Sequence, residues 1–166
     1  ALDFKLYVFS LKNQLEFILC TSTVMNAKGL LAVNRQEGQN IVAVPAPIND
    51  ENHIGFVQII DMARPSRELL VRAHRNAVNL MEMNGSGALL VVSSEKGSRI
   101  KVFETAKGTQ TQEVKIGRQV VGFMDLFFSF DDKWLGYLST NYLSVFGVAI
   151  GEVTETTNIS TLSESM

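Results

Sequence analysis

Few residue types in this chain could do chemistry, and their spacing narrows what that chemistry is. The two histidines, His53 and His74, have no cysteine or second histidine at the spacing of a zinc site. Cys20 is the single cysteine, so the chain can form no internal disulfide. Its place in the apolar stretch Leu15 to Cys20 reads as a small buried residue in a reducing compartment. The pair Asp131-Asp132 falls between two apolar runs, where acids serve turn geometry rather than proton transfer. Asn84-Gly85-Ser86-Gly87 is a hairpin turn and not a phosphate-binding loop, since neither Lys-Ser nor Lys-Thr follows and no helix pattern begins there. These observations point away from an enzyme, a bound metal or a cofactor. The remaining candidate is a loose basic cluster, Arg64, Arg67, Arg72 and Arg75. It is suited to a solvated loop surface, or to contact with acidic lipid or an acidic protein segment.

The elements that must position these residues are bounded by composition. The chain has 166 residues, 46% hydrophobic and 19% charged, with a formal net charge of -2. That is the make-up of a folded domain, and the slight acidic excess gives no field that would gather nucleic acid. No apolar run approaches the roughly 20 residues that span a bilayer as a helix. The expectation is a cytoplasmic protein whose membrane contact, if any, is peripheral. Because Ala1 opens inside the strand-like pattern Phe4 to Leu11, the sequence reads as the interior of a longer one.

Short β-rich runs separated by turn residues fill the chain, and no stretch holds a helical apolar period for three turns. The clearest strands are Gly29 to Val33, Asn40 to Val44, Phe56 to Ile60, Val78 to Met83, Ala88 to Val92, Ile100 to Phe103, Phe123 to Phe128 and Trp134 to Leu138. Similar strands, Phe56 to Asp61, Ile100 to Glu104 and Leu143 to Gly147, recur roughly every 43 to 45 residues, the length of one propeller blade. Leu89-Leu90-Val91-Val92 reads as an inner strand buried on both faces, and the polar Thr109 to Val114 as an outer one. Trp134, Phe123, Phe127, Phe128 and Phe130 read as aromatic core between blades. The fold expected is all-β: about three blades, over 1–153, of a WD-repeat-like β-propeller. Residues 154–166, rich in Ser, Thr and Glu, read as a mobile loop or tail.

Two stretches then carry a family resemblance. Arg72-Ala73-His74-Arg75-Asn76-Ala77-Val78, followed by Asn84-Gly85-Ser86-Gly87-Ala88 and the block Ser94-Glu95-Lys96-Gly97-Ser98-Arg99-Ile100-Lys101-Val102-Phe103-Glu104, resembles the PROPPIN family. One blade earlier, Ala27-Lys28-Gly29-Leu30-Leu31-Ala32-Val33 is similar to that family's matching strand. The resemblance implies a seven-bladed ring that binds phosphatidylinositol 3-phosphate or 3,5-bisphosphate and acts with partner proteins in autophagy and vesicle traffic. It also implies peripheral association with endosomal, vacuolar or autophagosomal-precursor membranes, and neither a cofactor nor nucleic acid as a ligand.

The family's hallmark is a Phe-Arg-Arg-Gly motif; here the aligned residues are Val114-Lys115-Ile116-Gly117. Adjacent strand residues point to opposite faces, so two consecutive arginines can serve two pockets flanking one blade, each gripping a phosphate with a two-armed fork. Lys115 keeps one charge and loses the fork, whereas Ile116 can bind no phosphate. The resemblance implies His74, Ser94, Ser98 and Lys115 as one headgroup site; Arg118, two positions beyond Ile116 and on the same face if the strand continues, is a candidate stand-in for the missing arginine. His74 is equally suited to bracing a tight turn, and Ser94 and Ser98 to satisfying backbone groups. The second pocket, where Leu138 to Leu143 depart from the family's residues, is expected to be lost. The rival reading is a lipid-independent scaffold for protein partners.

Overall fold

The computed structural model describes residues 4–11, 16–38, 40–46, 54–116, 123–139 and 143–147. The described residues form strands and turns with no helix. A two-stranded hairpin pairs β1 (Lys5–Ser10) with β2 (Glu16–Ser22). A four-stranded antiparallel sheet follows, in the order β3 (Ala32–Val33), β4 (Ile41–Pro45), β5 (Phe56–Asp61) and β6 (Glu68–Arg72). A second contains β7 (Val78–Met83), β8 (Leu89–Ser94), β9 (Arg99–Glu104) and β10 (Thr109–Lys115). The last sheet has three strands: β11 (Phe123–Phe128), β12 (Trp134–Ser139) and β13 (Leu143–Gly147). Each sheet is an up-and-down meander, and β7 touches both β3 and β11, the first strands of its neighbours. Consecutive sheets thus converge at one rim, as propeller blades do.

The repeat strands expected to be equivalent are so: β5 and β9 are the third strands of their sheets, and so is β13. What makes the sheets stack is visible in β8, where all six residues are buried. Its side chains alternate between faces. Leu90 and Val92 join Val57, Ile59, Val71 and Phe103 in a core shared with the preceding sheet. Leu89 and Val91 join Ile100, Val102, Leu126, Phe128, Leu135 and Tyr137 in a core shared with the following one. On the other side of β4, Val42 and Val44 pack with Leu6 of the hairpin.

The continuous apolar run is the second of four strands and is buried on both faces, as expected of an inner strand, while β7 beside it mixes buried and half-buried residues. Three expectations need correction. Strand β3 begins only at Ala32, because the Asn26 side chain bonds both the N–H (2.8 Å) and the carbonyl (3.0 Å) of Leu30 and holds that stretch in a turn. Cys20 is exposed, opposite Tyr7 on the hairpin face away from Leu6. Of the aromatic residues, Phe128 is core, but Phe130 is fully exposed at a turn tip and Trp134 is half-exposed. Phe127 lies over Gly136, where a Cβ would come within 2.1 Å of its ring. The side chain of Phe123 and the segment 154–166 lie outside the described residues.

Beyond apolar packing, three turns on one face form a hydrogen-bonded rail across the sheets. Arg35 and Gln36, in the β3–β4 turn, donate backbone N–H groups to the Gly85 carbonyl at 3.1 and 2.9 Å. The β7–β8 turn in turn donates to Asp132 in the β11–β12 turn: Gly85 N–H to Oδ1 at 2.7 Å, and Ser86 N–H to Oδ2 at 3.0 Å. The Asn84 amide reaches Oδ2 at 3.0 Å. Asp132 adopts φ 59°, a left-handed conformation that Asp and Asn tolerate better than most residues.

Removing this carboxylate leaves partly buried donors without an acceptor. Asp132→Ala is expected to lower unfolding stability by about 2–3 kcal/mol, and Asp132→Asn, which keeps one acceptor oxygen and the tolerated backbone, by less than half of that. Urea denaturation of the two variants checks the order; equal losses would contradict it.

Candidate headgroup site at the outer edge of a blade

One end of the second four-stranded sheet gathers most of the residues singled out from sequence. There β8 ends at Ser94, β9 begins at Arg99, and β10 ends at Lys115. Gly97, with φ 62°, closes the β8–β9 turn by donating to the Ser94 carbonyl at 2.9 Å. The chain leaving β10 is tied to that turn, since Ile116 N–H donates to the Ser98 carbonyl at 3.1 Å. Ser98 is half-buried and Lys115 exposed, whereas Ser94 is buried.

Register decides which face each side chain serves. Lys115 lies opposite Arg99, and Glu113 opposite Lys101. Lys101 in turn lies opposite Val92, whose side chain belongs to the core shared with the preceding sheet. Lys115, Glu113, Arg99, Lys101 and Ser94 therefore occupy that face. Ile116 takes the other: with Val114 it packs against the core shared with the following sheet. The split that the sequence predicts for positions 115 and 116 is the one observed. Arg99 pairs with Glu113, and Lys115 has no carboxylate partner among the described residues.

His74 has a defined structural task. It is buried in the β6–β7 connection and donates from Nε2 to the Val92 carbonyl at 3.0 Å, which fixes its neutral tautomer because a carbonyl can only accept. Burial pushes its pKa below the ordinary histidine value, partly opposed by the bond to Val92, with Lys101 and Arg99 lowering it further and Glu113 raising it. Because Val92 lies opposite Lys101, the bond to its carbonyl sets the ring beside the charged strip. Of the two roles open to it from sequence, the bond to Val92 is the one displayed.

Arg118 and His53 lie outside the described residues, as do Thr140 to Tyr142 of the other flank. Arg99 and Lys101 were not picked out from sequence as site residues. Their signal was present in the alternation of Arg99 and Lys101 with apolar Ile100 and Val102, which puts both cations on one face. Ser93, at the same strand end, is fully buried and its hydroxyl has no hydrogen-bond partner among the described residues. Among the described residues no group of three or more His, Cys, Asp or Glu could hold a metal ion, and no helix is long and apolar enough to cross a membrane.

Stacked four-stranded meanders converging on a common rim, with a charged strip on an outer strand, define a β-propeller whose candidate site is at a blade edge. Solved structures agree on the fold. A Kluyveromyces lactis Hsv2 structure superposes with a TM-score of 0.70 at 21% identity, covering 87% of this chain and 44% of that one. A complex of Atg21 from that yeast with the coiled-coil of Atg16 superposes with a TM-score of 0.66 at 12% identity, covering 89% and 50%. No family model matches the sequence. Among curated proteins, Autophagy-related protein 18e of Arabidopsis thaliana is 31% identical over 130 residues, covering 78% of this chain and 33% of the relative. WD repeat domain phosphoinositide-interacting protein 2 of Mus musculus is 27% identical over 136 residues, covering 81% and 30%. The chain belongs to the PROPPIN family of β-propellers. It spans about a third of the length of these curated relatives.

The His74 environment generates a pH dependence with a definite sign. The folded pKa lies below the unfolded one, near 6.5, so the unfolded chain takes up the proton first as pH falls. The stability due to neutral His74 is whole above about pH 6.5 and is lost as pH drops through that value towards the folded pKa. His74→Gln, which does not titrate, is expected to flatten the fall in denaturation midpoint between about pH 7 and 5. Equal slopes in parent and variant would show that His74 is not held neutral by the fold.

Proposed function

We propose that this stretch of blades binds the phosphorylated inositol headgroup of a membrane lipid, phosphatidylinositol 3-phosphate or 3,5-bisphosphate, and so helps recruit its protein to endosomal, vacuolar or autophagosomal-precursor membranes in autophagy and vesicle traffic. The observation that supports this is the strip of three cations, Arg99, Lys101 and Lys115, on one face at the blade edge, with a single carboxylate, Glu113, among them. A phosphate approaching Lys115 meets a charge that pairs with no carboxylate among the described residues, Glu113 being held by Arg99, beside the half-buried Ser98. Arg99 can exchange Glu113 for a phosphate oxygen, since a guanidinium matches either anion with the same fork. Ser94 lies behind this surface, and His74 holds the strand end in place through Val92. Arg118 is proposed as a supplementary cation. The name of the mouse relative, WD repeat domain phosphoinositide-interacting protein 2, accords with this reading.

One pocket, not two, is the expectation, because Ile116 faces an apolar core where a second phosphate ligand would be needed. With a point charge in place of a fork, binding is weak and falls with salt, as screened surface contacts do. Lipid-independent docking of partner proteins is the reading that replaces this one if the cations prove idle.

The test is co-sedimentation of the full-length protein with vesicles with or without 3-phosphorylated inositol lipid. Lys115→Arg is expected to strengthen lipid-dependent association about threefold or more by restoring a second charge-assisted hydrogen bond, and Lys115→Glu to abolish it. If both folded variants behave as the parent does, Lys115 takes no part in membrane association.

A further inference from the structure

The basic cluster noted in the sequence is divided by the fold, and only part of it belongs near the headgroup site. Arg72 sits over the Phe56 ring, 5.9 Å from its centroid, and Arg75 is exposed in the β6–β7 connection. Arg64 and Arg67 lie instead in the β5–β6 turn, at the opposite end of the sheets from Lys115. There the two four-stranded sheets leave a cleft of about 780 Å³ between them. Its apolar lining comes from Ile41, Ile59 and Leu69; Arg64, Arg67 and Lys107 stand around it, the last in the β9–β10 turn.

The charges in this cleft are not equivalent. Arg64 is held by Asp61 at 2.9 Å and Lys107 by Glu104 at 3.3 Å. Arg67 makes no ion pair among the described residues, although its charge is felt by Asp61. The cleft therefore offers the Arg67 guanidinium, unpaired among the described residues, beside the half-buried Ile41 and Leu69 with Ile59 behind them, in a space that holds several side chains. A flat anionic bilayer would bring Asp61 and Glu104 against its own charge and leave the apolar wall unfilled. An extended peptide can place a carboxylate on Arg67 and an apolar side chain between the sheets.

We propose that the cleft between the two four-stranded blades is a docking site for an acidic peptide segment of a partner protein, with Arg67 holding a carboxylate and Ile41, Ile59 and Leu69 receiving a neighbouring apolar side chain. The site is separate from the headgroup site and stands or falls independently of it.

The test uses the full-length protein on an immobilised array of eight-residue peptides in which two Glu and two Leu residues are permuted among Ser and Gly. The same array with Lys for Glu serves as comparison. Acidic members are expected to bind and basic ones not. Arg67→Glu and Ala106→Trp, both at exposed turn positions, should each weaken the best acidic peptide about fivefold or more, the first by reversing the charge and the second by filling the cleft. Lys115→Glu should leave peptide binding unchanged, and Arg67→Glu should leave vesicle association unchanged. Equal binding of acidic and basic peptides, no binding at all, or binding insensitive to both cleft variants would overturn the proposal. So would loss of vesicle association in Arg67→Glu with peptide binding intact, which would make the cleft a membrane contact.

Discussion

The two four-stranded sheets are apolar on both faces, and that constraint shapes the rest. A strand such as β8, buried along its whole length, cannot be satisfied by its own sheet. Half of its side chains need a neighbour on one side and half on the other. Burying each Leu or Val contributes roughly 1.5–3 kcal/mol, so the stacking of blades is a condition of the fold and not an addition to it. The polar rail from Arg35 through Gly85 to Asp132 fixes the register of that stack, which apolar packing alone would leave free to slide.

The same two-faced strand geometry divides the chemistry. In β10 and just beyond it, consecutive residues serve different inter-blade spaces, so Lys115 joins the charged strip with Arg99 and Lys101 while Ile116 is drawn into the apolar core on the far side. Lys115 puts a cation on one flank, and Ile116 puts an apolar side chain on the other. His74 belongs to this architecture as a brace: its bond to Val92 joins the incoming connection to the central strand. Its neutral state follows from burial beside three charged neighbours, of which two are cations.

Much of the fold was legible in the sequence because period-two alternation and a blade-length repeat are local signals. The unbroken apolar run Leu89 to Val92 announced burial on two faces, and the strands after Ser- or Gly-bearing turns announced the repeat. What failed depended on neighbours. Cys20 and Trp134 carry apolar side chains on strands, and nothing local says which face is left uncovered. Phe130 lies one residue beyond the core-forming run, at a turn tip. Asp132 was legible as a turn residue, but its reach to Gly85 and Ser86 in another blade was not. At the site, Lys115 and its alternation with Ile116 were readable, while Arg99 and Lys101 emerged only once the β9–β10 register set them beside it.

The claim on which the account rests is that recognition of a phosphorylated headgroup falls on the Lys115 face and not on the Ile116 face. Titration of the full-length protein with soluble inositol 1,3-bisphosphate, followed by NMR of backbone amides and lysine side chains, tests it directly. The account predicts shifts at Lys115, Arg99, Lys101 and Ser98, with β11 and β12 unaffected. Shifts concentrated around Val114, Ile116 and β12, or none at any concentration that the headgroup reaches, would contradict it.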